Sequence, residues 1–380
     1  MKSILEKDLW SITSFLENKN YKFNKENILT QLPEKFIDEA IKAISSWDNY
    51  APTPLVKLNK LNDELKFKNI YYKDEDKRFD LKSFKALGGA FAVYKIASEK
   101  ENITVSTATA GNHGRSVAWG AQRLGLKCKI FISEFVSESR AEAMRKLDAE
   151  VIRVKGNYDN SLKECIKQSK ENNWEIVQDV SWEGYKEVPK LIMAGYTIMI
   201  KEILDEVKSN SISHVFLQAG VGGMAAAMIA GFAKLSQNIP KFIIVEPENA
   251  DCVFQSIKNN KPTSVDIKKE TVMGGMSCGD VSSIAWEILK NSSNYCLTIS
   301  DEAISTTVAL LAEKRLSDLK IIAGECAVPG IIALISSFNN KEYLDKLELN
   351  EQSNVLLFGC EGLTDSAMYQ KLLSDGLQKI

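Results

Sequence analysis

The sequence predicts an α/β protein built on parallel sheets, with two doubly wound lobes and a cleft between them. From about residue 69, short apolar runs alternate with longer segments of helical periodicity. Strands that alternate with helices form parallel sheets covered on both faces. The chain has 380 residues, more than one α/β domain usually contains, and this predicts the second lobe. Because ligands of such folds bind beyond the carboxyl ends of the strands, functional residues are expected in the loops there.

The expected elements follow from these patterns. Short runs rich in β-branched and aromatic residues are predicted to be buried strands: residues 69–73, 128–132, 150–154, 214–218, 241–247 and 354–359. Longer segments with helical periodicity are predicted to be helices: residues 112–125, 137–149 and 224–236. The second helix opens with Ser137, which we expect to cap it.

Composition excludes several classes of function. The formal net charge is -2, and no basic run is interleaved with aromatic residues, which argues against nucleic-acid binding. No apolar stretch approaches the roughly 18 residues that a membrane span needs. Charges occur throughout residues 1–20, where a signal peptide would have an apolar block. We therefore expect a soluble, cytoplasmic protein that binds neither nucleic acid nor membranes.

Cysteine and histidine usage narrows the chemistry further. The chain has seven cysteines without a CxxC pair, and its two histidines are His113 and His214. A disulfide framework, a zinc site and a histidine-rich metal centre are therefore not expected. The chemistry is expected to use an organic cofactor or none.

The first glycine-rich loop lies in "LQAGVGGMAAA", residues 217–227, between a predicted strand and a predicted helix. Its backbone N–H groups and the helix dipole favour an anion. The loop lacks the Lys-Ser/Thr of a nucleotide triphosphate loop. It does fit GxGxxA, and Glu246 ends the next strand, where a dinucleotide fold places its ribose-binding acid. NAD binding is therefore one alternative, and glycines that serve only tight helix–strand packing are another.

Two further loops carry polar groups after a strand. "STATAGNHGRSVAW", residues 106–119, offers hydroxyl and amide donors to a carboxylate at a helix N-terminus, with Asn112 as a helix cap the structural alternative. "FGCEGLTD", residues 358–365, places Cys360 after the last strand, where a small core residue is the alternative. Upstream of all three loops, Lys85 lies between Phe84 and a small apolar turn ending in two glycines.

The combination and order of these motifs resemble the fold-type II pyridoxal-phosphate enzymes of the tryptophan synthase β superfamily. The resemblance extends over nearly the whole chain, from residue 50 to the last glycine loop. Within that superfamily the sequence is most similar to the diaminopropionate ammonia-lyases. The motifs that carry this likeness are "APTPLVKL", "KDEDKRFDLKSFKALGG", "GNHGRSVAW", "VQDVSWEGY", "LQAGVGGMA", "VEPENADC" and "MGGMSCGD".

The resemblance implies roles for the residues that hold the cofactor. A lysine amine in a partly apolar setting loses its proton more readily and condenses with aldehydes, so Lys85 is expected to hold pyridoxal phosphate as a Schiff base and then to remove the substrate α-proton. Asn112 is expected to bond the ring hydroxyl, and Cys360 to lie near the pyridine nitrogen. The phosphate is expected on the backbone amides of Gly220, Val221, Gly222, Gly223 and Met224.

The resemblance also implies how the substrate is bound. Its α-carboxylate is expected at Thr109 and the amides of the turn that follows, from Ala110 and Gly111 to His113. A diamino acid carries a second cation, which the carboxylate of Asp179 is suited to recognise, with a turn-capping role as the alternative. Glu183 is a neighbouring acid of the same motif. The expected reaction is elimination of ammonia from L-2,3-diaminopropionate to give pyruvate.

One position departs from the family pattern. Typical diaminopropionate ammonia-lyases carry an aspartate directly before GNHG, the base for the D-enantiomer, whereas this chain has Ala110. "TAGNHG" looks instead like the serine and threonine dehydratases. We therefore expect an enzyme restricted to L-substrates. The same cofactor with another leaving group, as in a serine, threonine or 3-hydroxyaspartate dehydratase or a β-replacement synthase, is the alternative.

The domain boundaries and assembly are also expectations from the resemblance. Residues 1–97 and 206–380 are expected to form a large cofactor-binding domain, and residues 98–205 a small domain that binds the substrate carboxylate. A homodimer is the family's habit. Cys252 and Cys278 lie in motifs expected to border the active site, and a cytoplasmic setting favours free thiols there.

Overall fold

The computed structural model describes residues 2–207 and 212–380. Its strands are β1 Ile12–Glu17, β2 Leu55–Lys57, β3 Asn69–Asp74, β4 Thr104–Ala108, β5 Lys127–Ser133, β6 Glu150–Val154, β7 Glu175–Ile176, β8 His214–Gln218, β9 Lys241–Pro247, β10 Tyr295–Ile299 and β11 Asn354–Gly359.

The helices are distributed between these strands. In chain order they are α1 Lys2–Leu5, α2 Lys25–Gln31, α3 Glu34–Ser45, α4 Asn59–Leu65, α5 Lys85–Glu99, α6 Asn112–Arg123, α7 Glu138–Arg145, α8 Tyr158–Asn172, α9 Glu187–Tyr196, α10 Ile198–Glu206, α11 Gly223–Leu235, α12 Cys252–Asn259, α13 Ser283–Ser292, α14 Ile304–Ala312, α15 Pro329–Asn339, α16 Lys341–Leu347 and α17 Ser366–Leu377. Short 3₁₀ segments lie at Glu75–Asp80, Gly274–Met276 and Glu325–Ala327.

Contacts within the chain define two compact units. The first comprises Met1–Gln31, Pro52–Lys77 and Met199–Ile380, and the second comprises Leu32–Ala51 and Arg78–Ile198. These bounds differ from the expected divisions at 97/98 and 205/206. Helix α5 packs against α6 and α9, so the helix that begins at Lys85 belongs to the second unit.

The first unit contains a seven-stranded sheet in the order β1-β10-β9-β8-β11-β3-β2. The two outermost strands, β1 and β2, run antiparallel to their neighbours, and the inner pairs are parallel. Strands β8 and β11 are buried along their whole length, as strands between two helical layers must be. Because β8 and β11 are parallel neighbours, the loops that follow them leave the same edge of the sheet.

The second unit contains a four-stranded parallel sheet in the order β6-β5-β4-β7. Ala108 of β4, Phe131 of β5 and Cys165 of α8 form a buried cluster on one face. Strand β4 ends at Ala108, and the turn that follows leads directly into α6. The carboxyl end of β4 therefore presents the GNHG motif.

All the strands and helices predicted from the sequence are present, with small differences at their ends. Strand β6, predicted to be buried, is partly exposed because it lies at the edge of its sheet. Four strands have the predicted bounds, among them β8 and β9. Helix α7 ends at Arg145, before the predicted end at residue 149. Ser137 does occupy the N-cap position of α7, but its side chain makes no capping hydrogen bond, and its hydroxyl lies 3.1 Å from that of Ser139. None of the described helices is long and apolar enough to cross a membrane.

Candidate active site

Lys85 is the first residue of α5, and the glycines that follow it let two other helices pack closely on that helix. A Cβ atom at Gly88 would overlap the ring of Tyr196 on α9, and one at Gly89 would overlap the Ser116 hydroxyl on α6. The Ser116 hydroxyl accepts a hydrogen bond from the Ala90 N–H at 3.1 Å. The "ALGGA" sequence thus brings α6 and α9 against the helix turn that carries Lys85.

The Lys85 ammonium is paired with a carboxylate. Its Nζ lies 2.5 Å from Oδ2 of Asp179, and the Phe84 and Tyr196 rings are 5.4 and 6.0 Å away. The aromatic surroundings agree with the expected partly apolar setting, but the carboxylate favours the protonated amine, which the sequence did not predict. Burial disfavours the charged form of Asp179, yet the electrostatic interactions with His113 and with Lys85 outweigh burial and hold the Asp179 pKa well below its ordinary range.

His113, the second residue of α6, faces the same carboxylate. Its Nε2 lies 2.7 Å from the carbonyl oxygen of Val177, and because a carbonyl only accepts, Nε2 carries the hydrogen. In the neutral ring Nδ1 is therefore an unprotonated acceptor, and it lies 3.8 Å from Oδ2 of Asp179. Burial lowers the pKa of His113. The sequence suggested only the backbone amide of this residue, so this side-chain role was missed.

The turn before α6 is held by Thr109. Its hydroxyl oxygen accepts hydrogen bonds from the N–H groups of Gly111 at 3.0 Å and Gly114 at 3.2 Å. Those bonds use the oxygen lone pairs and leave the O–H as a donor, as carboxylate binding requires. The Gly111 amide, expected to bind the substrate carboxylate, is instead used within the turn. Gly111 also occupies the N-cap position of α6, so Asn112 is the first helical residue and not the cap.

Ala110 presents a methyl group and no ionisable group. Its carbonyl oxygen accepts a hydrogen bond from Nη1 of Arg140 on α7 at 3.3 Å. The position expected to carry an acid in the family therefore lies beside a guanidinium group in this chain.

The segment before Asp179 is fixed by side chains of the VQDVSWEGY motif. The Tyr185 hydroxyl donates to the carbonyl of Ile176 at 2.8 Å and accepts from the N–H of Gln178 at 2.9 Å. The fully buried Gln178 side chain bonds both the N–H and the carbonyl of Ala108, at 3.1 and 3.0 Å. The Tyr185 ring stacks on Trp182 with centroids 4.2 Å apart. These contacts hold the segment that leads to Asp179 against the end of β4. Glu183, the other acid of the motif, is exposed.

The first unit contains the glycine loop Gly220–Met224, which joins β8 to α11. Gly222 has φ +87°, in the left-handed region that favours glycine, and a Cβ there would lie 2.8 Å from Leu289. Gly220 is also restricted, because its Cβ would lie 3.0 Å from the Cys278 sulfur. The N-cap residue of α11 is Gly222, which has no side chain to cap the helix, and the backbone N–H groups of Gly223 and Met224 open its first turn directly after Val221 and Gly222.

Cys360 directly follows β11, at the same sheet edge as the glycine loop. Its buried thiol donates to the carbonyl of Cys326 at 3.2 Å, and the Gln218 amide at the end of β8 donates to the same carbonyl at 3.0 Å. The ends of β8 and β11 are therefore linked through one backbone oxygen. None of the seven cysteines, Cys252 and Cys278 included, forms a disulfide bond.

Glu246 does not act as a ribose-binding acid. It is fully buried, and its carboxylate accepts hydrogen bonds from the N–H groups of Val253 at 2.9 Å and Phe254 at 2.6 Å in the first turn of α12. Burial raises its pKa well above the ordinary value. Glu246 therefore accepts hydrogen bonds from the N–H groups at the start of a helix. The dinucleotide interpretation of the GxGxxA loop also requires an acid that binds the ribose, and Glu246 does not supply it.

Comparison with known proteins identifies the family of this chain. The family model "Pyridoxal-phosphate dependent enzyme" matches residues 47–358. The chain is 34% identical over 352 residues to diaminopropionate ammonia-lyase of Escherichia coli K12, covering 86% of this chain and 88% of that protein. The Salmonella typhimurium LT2 enzyme of the same name is 34% identical over 360 residues, with coverages of 86% and 89%.

The fold agrees with a solved structure of the same kind. The crystal structure of the E. coli enzyme in complex with an aminoacrylate-PLP azomethine reaction intermediate superposes with a TM-score of 0.89 and 31% identity, covering 97% of this chain and 99% of that chain. The fold-type II assignment made from the motifs is confirmed. This chain belongs to the pyridoxal-phosphate dependent enzymes and, within them, to the diaminopropionate ammonia-lyase family.

Proposed function

We propose that this protein eliminates ammonia from L-2,3-diaminopropionate, with water consumed and pyruvate and two ammonia formed. Besides the relatives, one contact carries this proposal. Asp179 Oδ2 binds the primary ammonium of Lys85 at 2.5 Å, with 14% of the Asp179 side chain exposed. A carboxylate that holds one alkylammonium in a mostly buried position is suited to hold another, the β-ammonium that separates this substrate from serine.

The residues present fit pyridoxal phosphate, the cofactor of the family. The first turn of α11, which follows a glycine N-cap, and the left-handed Gly222 supply backbone N–H groups for a phosphate, and a Cβ at Gly223 would meet nothing within 4 Å. Lys85 supplies a primary amine for an aldehyde. When bound, the cofactor supplies an electron-accepting ring that acidifies the substrate α-hydrogen. We assign Asn112 to its ring hydroxyl and Cys360 to its pyridine nitrogen.

Three side chains of the second unit then act on the substrate. The O–H of Thr109 donates to the α-carboxylate, because its oxygen already accepts two N–H groups. Asp179 orients the β-ammonium and so aligns the bond that breaks. Lys85 takes the α-proton after its own ammonium has lost one, and the β-nitrogen leaves as neutral ammonia.

The substrate is restricted to the L-enantiomer in this proposal. A base on the opposite side of Cα from Lys85 would be needed for the D-enantiomer, and the methyl group of Ala110 cannot accept a proton. The same residue supports the second candidate, a dehydratase of hydroxy amino acids, because "TAGNHG" is the form of the motif that such enzymes share.

A substrate panel separates the candidates. Ammonia and keto acid would be measured for L- and D-diaminopropionate, L-serine, L-threonine and 3-hydroxyaspartate. Two ammonia per pyruvate, with the highest kcat/KM on L-diaminopropionate, supports the proposal, and one ammonia per keto acid with a higher value on a hydroxy amino acid favours the dehydratase. Borohydride reduction followed by peptide mass spectrometry is expected to place the cofactor on Lys85, and an adduct on another lysine would contradict the assignment.

We also propose that the enzyme works as a homodimer in the cytoplasm. Light scattering coupled to size-exclusion chromatography is expected to give about twice the 42.4 kDa chain mass. A monomer that retains full activity would contradict the dimer.

A further inference from the structure

The Lys85 amine can act as a nucleophile or a base only after its ammonium has lost a proton, and its contact with Asp179 opposes that loss. A carboxylate 2.5 Å from the ammonium stabilises the charged form. Release of this proton therefore depends on a basic group beside the ion pair.

We propose that Nδ1 of His113 takes up the proton that the Lys85 ammonium gives up, with Asp179 between them as the shared partner. Nδ1 lies 3.8 Å from the same Oδ2 that bonds Lys85. Nε2 is fixed as a donor to the Val177 carbonyl, so Nδ1 holds the free lone pair. Among the described residues, this buried Nδ1 has no hydrogen-bond partner. The geometry therefore leaves one open basic site beside the ion pair.

The charge balance is preserved in this transfer. An N–H bond of Lys85 breaks and an N–H bond forms at His113 Nδ1, while Asp179 is a carboxylate before and after. The three groups start as ammonium, carboxylate and neutral imidazole, and finish as amine, carboxylate and imidazolium. Each state has no net charge, so the buried cluster avoids the cost of an uncompensated ion.

The groups around the ring explain why it is neutral at the start and charged later. Burial lowers the pKa of His113, the Asp179 charge raises it, and the Lys85 ammonium lowers it. Tyr196 on α9 also faces the pair, and burial raises its pKa, so it stays neutral. Arg140 on α7 is directed to the Ala110 carbonyl. Removal of the Lys85 charge therefore leaves Asp179 as the dominant charge acting on His113.

The role in catalysis rests on the proposed function, but the proton affinity of His113 is measured without substrate. The chain has two histidines, so NMR of histidine-labelled protein gives two imidazole signals, which a His214→Gln variant assigns. The wild-type enzyme with its cofactor gives the tautomer, which we expect to be Nε2–H. Two variants show how the His113 pKa depends on the charge at position 85. Lys85→Arg keeps a cation beside Asp179, and Lys85→Met removes it.

His113 is expected to bind its proton at least about tenfold more tightly in Lys85→Met than in Lys85→Arg, a shift of about one pKa unit. In the double variant Lys85→Met/Asp179→Asn this gain should disappear, since the attracting carboxylate is gone. The His214 signal serves as the internal control and should titrate alike in every variant.

Equal His113 midpoints in the Met and Arg variants would overturn the proposal, as would an Nδ1–H tautomer in the neutral wild-type ring. A gain that survives in the double variant, or one that His214 shares, would show a general change of structure and would also overturn it. Failure of the enzyme to turn over diaminopropionate would affect the proposed function alone.

Discussion

Asp179 and Lys85 form a short ion pair across 94 positions of the sequence, with Oδ2 and Nζ 2.5 Å apart. The carboxylate therefore lies where an amine can bind it, and its replacement by an amide of the same shape is informative. Asp179→Asn is expected to lower kcat/KM for L-diaminopropionate by about 10- to 100-fold, because a charge-assisted hydrogen bond is worth about 1.5–3 kcal/mol. Steady-state kinetics measure this.

The control is Glu183→Gln, an equally conservative change at an exposed acid of the same segment. It should alter kcat/KM by less than about twofold, as surface changes usually do. An Asp179→Asn enzyme as active as wild type would show that another group recognises the β-ammonium.

Ala110 predicts the stereochemical outcome. The wild-type enzyme should turn over D-diaminopropionate less than about one hundredth as fast as the L-enantiomer, since a missing acid–base group costs about 10²–10⁴-fold. Ala110→Asp should restore measurable D-turnover, whereas Ala110→Asn, which has the same shape without a base, should not. Comparable D- and L-rates in the wild-type protein would contradict the restriction.

The Tyr185 hydroxyl is expected to affect activity only by holding in place the segment that leads to Asp179. Tyr185→Phe keeps the stack on Trp182 but removes the hydroxyl that bonds the Ile176 carbonyl and the Gln178 N–H. We expect a loss of about 1–3 kcal/mol in local stability and a fall in kcat/KM for diaminopropionate. Amide hydrogen exchange of residues 176–179 reports the loosening. Unchanged exchange with full activity would show that the hydroxyl does not hold this segment.

The glycine loop offers a matched pair of substitutions. Gly222→Ala places a side chain at φ +87° and 2.8 Å from Leu289, whereas Gly223→Ala enters open space. The first should cost about 1–2 kcal/mol from the backbone alone and weaken cofactor binding, and the second should leave the thermal midpoint nearly unchanged. Thermal unfolding and cofactor titration measure both effects. Equal thermal midpoints of the two variants would argue against a strained turn at Gly222.

His214 predicts a loss of stability in acid. Its Nε2 lies 2.9 Å from the Leu347 carbonyl and Nδ1 lies 2.8 Å from the Ser213 hydroxyl, and burial lowers its pKa to about 4. Between about pH 6.5 and 4 the unfolded chain binds a proton that the folded chain does not, so stability falls as the pH falls, by up to about 3 kcal/mol.

His214→Gln can still donate to the Leu347 carbonyl but does not titrate. Its thermal midpoint should therefore fall less between pH 7 and pH 4.5 than that of the wild type. Parallel falls in both proteins would show that His214 contributes nothing to the acid sensitivity.

The fold was predictable where local patterns repeat. Strands β6, β8, β9 and β11 have the bounds that their apolar, β-branched runs predict, although only the last three are buried and β6 is a partly exposed edge strand. Four strands were not predicted: β1, β2 and β7, which lie at sheet edges, and β10. The half-exposed β1 and the three-residue β2 lack a continuous apolar run, and their pairing with β10 and β3 is set by distant parts of the chain.

The candidate site was predictable as a set of motifs but not as a set of contacts. The sequence indicates Lys85, Thr109 and Asp179, since each lies in a recognisable motif. It does not show that His113 faces Asp179, because that contact depends on the packing of α6 against the segment after β7. In the sequence, the position of Gln178 directly before Asp179 was the signal for the hydrogen bonds that hold this segment. Its role is seen only in the structure, where the Gln178 side chain bonds the N–H of Ala108 at the end of β4.

The carboxyl group of Glu246 has a consequence for genome annotation. Dinucleotide fingerprints reward a glycine-rich turn followed, one strand later, by an acid. Here the amides seven and eight positions beyond that acid already bind it. Searches for nucleotide cofactors would discard such false positives by asking whether a helix begins within that distance, since an acid that is buried and bonded to backbone amides is not accessible to a sugar.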